Sequence, residues 1–227
     1  MLFGYYLAQL RVMLYAAPVI LLAISCHEYA HGWVSDRLGD PTPRRDGRLS
    51  LNPFHHLDPL GTLCLLLFHM GWAKPVRINV SYYKEREKGI ILVSLAGPMM
   101  NFLLAFLSLL IRGLLVKFGN LQFLMIHIFL LLTYYSAVIN IGFGLFNLIP
   151  LPPLDGSNVL EAIWPAAGVF YQRIRPYRQI LLILLLVSGC LTIPLGMANR
   201  QITGSMWALV KKLLRIGVSV GVPSNVV

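Results

Sequence analysis

The 227 residues are 57% hydrophobic and only 12% charged, with a mean hydropathy of +0.69, whereas soluble globular chains are about 25% charged. This excludes an ordinary soluble domain and predicts a membrane protein. The formal net charge of +10 does not indicate a nucleic-acid partner, because the basic residues gather in short connections beside apolar runs, as the positive-inside rule expects.

Apolar runs lie near 12–34, 60–72, 90–116, 121–149, 179–198 and 204–222, and crossing a hydrocarbon core of about 30 Å takes roughly 20 helical residues. The pattern predicts an all-α polytopic membrane protein with about 4–6 transmembrane helices and a short re-entrant or β element near residues 60–83. No repeat or linker interrupts it, so residues 1–227 are expected to form a single domain with C-terminal helices over 179–222. The first run has no basic n-region before it and no small-residue cleavage site after it, so it is expected to stay in the mature protein. Residues 1–10 either lengthen that helix or lie along the interface.

The first run, VMLYAAPVILLAIS, is uncharged and leads directly into CHEYAHG at 26–32. Positions i and i+4 share a helical face, so His27 and His31 can place two imidazole nitrogens on one metal ion. Glu28 borders that face. Two neutral nitrogen ligands beside a carboxylate able to take a proton from water are what a zinc hydrolase needs. Ionisable groups at bilayer depth usually line a cavity or serve a site.

Two histidines do not complete a zinc site, and the candidates for a third ligand are His55, His56, Asp58, His69, His127 and Asp155. His55, His56 and Asp58 fall in the turn-rich stretch FHHLDPLG, near the expected cytosolic face, where they suit an outer shell. The run Gly61–Trp72 is short for a full crossing and reads as a re-entrant element. In KPVRINVSYY at 74–83, Val76, Ile78, Val80 and Tyr82 alternate with Arg77, Asn79, Ser81 and Tyr83, the period-2 pattern of a strand. An unpaired strand edge there would bind an unwound peptide by strand addition. Asn79-Val80-Ser81 matches a glycosylation acceptor by chance on the cytosolic side.

Farther along, NLIPLPPLDG at 147–156 carries Pro150, Pro152 and Pro153, which remove three backbone donors and must break the helix of 121–149. A broken helix is tolerated in a membrane only where its freed polar groups face protein or a watery cavity. The break delivers Asp155 and Asn147 to such a cavity. The connections at 36–48, 74–88 and 173–178 are rich in Arg and Lys and are expected to face the cytosol. The 112–120 connection, with only Arg112 and Lys117, is expected outside. The last run, with Lys211, Lys212 and Arg215 in its middle, suggests an interfacial amphipathic helix. Cys26, Cys64 and Cys190 lie far apart in apolar runs, so no disulfide framework is expected.

Taken together, His27-Glu28-x-x-His31 followed by Asn147-x-x-Pro150-x-Pro152-x-x-Asp155-Gly156 resembles the site-2 protease family of intramembrane zinc metalloproteases. Gly97-Pro98-x-x-Asn101, Asn52-Pro53-x-x-His56-x-Asp58-Pro59-x-Gly61 and Gly71-Trp72-Ala73-Lys74-Pro75-Val76 resemble its compact prokaryotic branch, without PDZ or CBS domains. The resemblance covers about residues 15–165. It implies one Zn2+ per chain held by His27, His31 and Asp155, with Glu28 as general base. It further implies Asn147 at the substrate or oxyanion and Asn101 as a supporting hydrogen-bond partner. Val76, Ile78 and Val80 would belong to a β element beside the active site. The substrates would be transmembrane proteins in the cell membrane, cleaved at a site open to the cytosol. The other class of function open to such a cluster is a metal-ion or proton transporter. The helix upstream of His27 offers almost no polar path for one. The oligomeric state is not encoded in any of these patterns.

Overall fold

A computed structural model describes residues 2–56, 58, 74–119 and 122–217. All regular structure among the described residues is helical. Helix α1 runs over Leu2–Arg37, 36 residues or about 54 Å at 1.5 Å per residue, so residues 2–10 lengthen the first helix. A short helix α2 (Thr42–Arg45) and a 3-10 turn at Pro53–His55 follow. Helices α3 (Arg86–Phe118) and α4 (Leu124–Asn147) come next, then α5 (Asp155–Ile163), α6 (Pro165–Ile174), α7 (Arg178–Val187) and α8 (Thr192–Leu214).

Helices α3 and α4 are each long and apolar enough to cross a membrane, and the stretch from α6 through α7, bent by 72° against α8, makes a third span if it is one broken crossing. Helix α1 packs on both α3 and α4, and α3 also carries α5. Small residues make the close approach between helices feasible, as expected where lipid tails compete with apolar side chains. Ala105 and Ala137 are fully buried, and Gly144 faces the Pro98 carbonyl and the Phe102 ring. At the far end of the bundle Leu109, Ala137, Trp207 and Val210 form one apolar cluster.

Three expectations change. First, residues 74–83 form no strand. Val80–Tyr82 is a 3-10 turn, and Val76 and Val80 are half-buried with Tyr83 buried, a spacing of four and three rather than two. The backbone donors are already engaged: the Val76 N–H donates to Glu28 Oε2 (2.9 Å) and the Asn79 N–H to Asp40 Oδ2 (2.7 Å). The segment is strapped along α1, so Val76, Ile78 and Val80 do not present a ladder edge.

Second, Arg112 and Lys117 belong to α3 and not to a connection. The buried Arg112 guanidinium donates to the Leu130 carbonyl and lies 5.5 and 5.8 Å from the Tyr134 and Trp207 ring centroids. Lys117 Nζ donates to the Leu214 carbonyl at 2.8 Å. These cations fasten α3 to α4 and α8. Third, the last helix begins at Thr192, after a break at 188–191, and buries Thr203, Trp207 and Val210 in the bundle. Its basic residues Lys211 and Lys212 sit in its last turn and not in its middle, and the helix packs against α3 and α4. The proposed re-entrant run Gly61–Trp72 lies outside the described residues.

Candidate metal centre

The site is built where α1, α3 and the start of α5 meet. His27 and His31, one turn apart on α1, are both buried, and Asp155 opens α5. Asp155 reaches them because α4 stops at Asn147 and the chain turns sharply through Leu148–Leu154. Those turns are closed by bonds such as Ile149 N–H to Phe146 O (3.1 Å) and Leu154 N–H to Leu151 O (2.9 Å). The Pro150 carbonyl, freed at the break, accepts the Tyr171 hydroxyl from α6 at 2.7 Å. Gly156 is required by this turn, since a Cβ there would stand 2.2 Å from the Leu148 oxygen.

Three ligand atoms converge. His27 Nε2 and His31 Nε2 are 3.0 Å apart, and Asp155 Oδ2 lies 3.1 Å from the first and 3.3 Å from the second. The other nitrogen of each ring fixes its tautomer. His27 Nδ1 is 2.6 Å from Asn101 Oδ1, and His31 Nδ1 is 2.6 Å from the Val93 carbonyl. Both partners accept, so each Nδ1 carries the proton and each Nε2 presents a lone pair. Asp155 Oδ2 is buried without a hydrogen-bond donor among the described residues. Three acceptors facing one another call for a cation.

The donor set fits zinc: bonds of 2.0–2.1 Å in a tetrahedral site put ligand atoms about 3.3 Å apart. Two imidazoles, each oriented by a hydrogen bond on its other nitrogen, with a carboxylate, are a usual zinc shell. Gly97 completes the cradle from α3. A Cβ at that position would lie 2.4 Å from His31 Nε2 and 2.6 Å from His27 Nε2, so the bare backbone is what allows α3 to close over the ligand atoms.

Glu28 lies on the same helix, half-buried, with Oε2 accepting the Val76 N–H. The strap that delivers Val76 is pinned at the end of α1 and in the turn after it. Asp40 is buried and accepts from Ser35 Oγ (2.8 Å), the Thr42 N–H (2.9 Å) and the Asn79 N–H, while Ser35 Oγ also meets Tyr83 Oη at 2.7 Å. Burial pushes the Asp40 carboxyl up, but these donors outweigh it and hold it below the usual carboxylate range.

Other expected residues stand apart from the cluster. Asn147 is buried and its amide donates to the Phe143 carbonyl one turn back (3.0 Å). His56 is fully buried with Nε2 2.6 Å from the Ser50 carbonyl, and His55 Nδ1 lies 3.3 Å from the Gly47 carbonyl. His69 lies outside the described residues.

Asn140, Asp40 and the Val76 amide were not singled out from sequence, and Gly97 entered only through the Gly97-Pro98-x-x-Asn101 motif, with no role at the metal. Asn140 had a readable signal, since Ser136, Asn140 and Asn147 lie on one face of a largely apolar helix at spacings of four and seven.

The comparisons agree with this chemistry. Residues 116–188, which include the break and Asp155, match the family model described as Peptidase family M50. The chain is 38% identical over 165 residues to the Bacillus subtilis (strain 168) protein named "Putative zinc metalloprotease YwhC", an alignment covering 72% of this chain and 74% of that one. It is 31% identical over 173 residues to Rip2 of Mycobacterium tuberculosis H37Rv, covering 74% and 63% of the two chains. With MJ0611 of Methanocaldococcus jannaschii it shares 35% identity over 115 residues, covering 48% and 55%. Both carry the same zinc metalloprotease description. No solved structure matches. The transporter reading gives way to hydrolysis, and the chain belongs to peptidase family M50, the site-2 protease family: it is a membrane protein and a zinc metalloprotease.

Proposed function

We propose that the chain cleaves peptide bonds within or near transmembrane segments of membrane-protein substrates, as a step of regulated intramembrane proteolysis. One zinc per chain is held by His27, His31 and Asp155. The observation that carries this reading is the meeting of three acceptor atoms at 3.0–3.3 Å against α3, a helix long and apolar enough to cross a membrane.

Zinc, when bound, supplies a Lewis acid that makes water acidic near neutral pH and polarises a peptide carbonyl. The chain's own groups do the rest. Glu28 takes the proton from the attacking water and returns it to the leaving amine, a role worth about 10²–10⁴-fold for a positioned carboxylate. The Val76 N–H occupies Glu28 Oε2 and leaves Oε1 for the proton. Asn147, whose amide donates to the Phe143 carbonyl, would offer its second N–H to the substrate backbone, which needs donors once a helical segment has unwound. The enzyme is a multi-pass protein of the cell membrane. The basic stretches 36–48, 74–88 and 173–178 lie on the cytosolic side, and water enters from there.

Co-expression with candidate single-pass membrane proteins tests the reading. The wild type is expected to release truncated fragments, mapped by mass spectrometry to positions in or beside the membrane-spanning segment, while Glu28→Gln releases none. Equal cleavage by Glu28→Gln, or cleavage confined to soluble domains, would contradict it.

A further inference from the structure

A buried chain of side-chain amides leads away from the metal centre. Asn101 of α3, fully buried, accepts from His27 Nδ1 at 2.6 Å, and its Nδ2 donates to the Ala23 carbonyl (3.2 Å) and to Asn140 Oδ1 (2.9 Å). Asn140 of α4, also buried, donates through Nδ2 to the Ser136 carbonyl at 2.9 Å. The Ser136 hydroxyl meets Ser108 Oγ at 2.7 Å.

An amide side chain is nearly symmetric in shape, and its two orientations differ in which end donates. The backbone decides them here. The Ser136 carbonyl can only accept, so Asn140 must turn Nδ2 to it and Oδ1 to Asn101. The Ala23 carbonyl and Asn140 Oδ1 can then only accept from Asn101, so Asn101 must turn Oδ1 to His27. A flipped Asn101 would set oxygen against oxygen at two contacts. It would also offer N–H to His27 Nδ1, moving the ring proton to Nε2, where it would displace the lone pair that a metal requires. Against an apolar residue at position 140, only the Ala23 contact would oppose that flip.

The geometry points to Asn140 as a positioning residue of the metal centre, which locks the Asn101 amide and through it holds the Nδ1–H tautomer of His27. This inference rests on His27 being a zinc ligand. Hydrogen-bond partners of ligating histidines typically change metal affinity by about 10–100-fold when removed. A residue one bond further out is expected at the lower end of that range.

The test uses the full chain purified in detergent, with zinc affinity read by chelator competition and the Co2+-substituted site read by its visible absorption. Asn140→Leu, which matches the volume and removes the acceptor, is expected to weaken zinc about tenfold and to alter the Co2+ spectrum. Asn140→Asp is expected to restore both, because a protonated carboxyl can still accept from Asn101 and donate to the Ser136 carbonyl. In an Asn101→Ala background, Asn140→Leu should add nothing. Asn140→Ala serves the same comparison if the leucine variant does not fold. Unchanged zinc affinity in folded Asn140→Leu or Asn140→Ala, or an equal loss with and without Asn101, would overturn the inference. Loss of zinc in His27→Ala alongside that result would leave the ligand assignment standing, whereas full zinc in His27→Ala would overturn both.

Discussion

His27 and Glu28 are neighbours on α1, yet they are held by different kinds of structure. The imidazole is fixed from inside the bundle, by Asn101 and the amide chain behind it, and Gly97 of α3 presses over its ligand atom. The Glu28 carboxylate is held from outside the bundle by one backbone amide of a strap, and the strap is fastened at Asp40 and Ser35. With the proposed roles of ligand for His27 and base for Glu28, metal retention and proton handling depend on separate regions and can be disturbed separately.

The largest effect is expected on the bundle side. In Gly97→Ala the new methyl must displace both imidazoles, so zinc affinity should fall by well over tenfold and cleavage with it. Chelator competition on the purified protein measures this, and normal zinc binding by a folded Gly97→Ala would show that α3 is not seated on the ligands.

A smaller effect is expected on the strap side. Val76→Pro deletes the N–H that reaches Glu28, and cleavage should fall about tenfold while zinc affinity stays at the wild-type value. Val76→Thr, which keeps the N–H, should stay near wild type in both. Equal cleavage by the two variants would remove Val76 from the account, and zinc loss in Val76→Pro would break the separation of the two regions.

The bundle side was largely legible in the sequence and the strap was not. The i, i+4 histidines and the triple-proline break are local, and each states its geometry through helix periodicity or a missing N–H. The hold on Glu28 comes from a backbone amide 48 residues away, which no residue type announces. The alternation in KPVRINVSYY suggested a strand because period 2 records side-chain polarity alone, while a ladder also needs a partner. Here Glu28 of α1 and Asp40, just beyond the end of α1, take the partner's place. Arg112 misled in the same way: as a charge it marked an outer connection, but Tyr134 and Trp207, from two other helices, make its buried position tolerable.

The smallest expected effect is a pH dependence of the strap. The folded Asp40 carboxyl sits below its usual value, so its contribution is complete above the unfolded pKa of about 3.9 and is lost as pH falls through the lower folded value. Hydrogen exchange of the peptide spanning 76–83 should accelerate at that acid edge, after correction for intrinsic exchange. Asp40→Asn should exchange faster at neutral pH and show no such edge. A wild-type strap whose protection is unchanged through the acid edge would remove Asp40 as its anchor.

The separation of ligands from base is tested most directly by zinc-edge X-ray absorption on the purified wild type and on Glu28→Gln. The account predicts the same first shell in both, with two imidazole nitrogens and oxygen at about 2.0–2.2 Å, in an inactive variant. Loss of zinc from Glu28→Gln, a changed first shell, or a shell lacking the two imidazoles would contradict it.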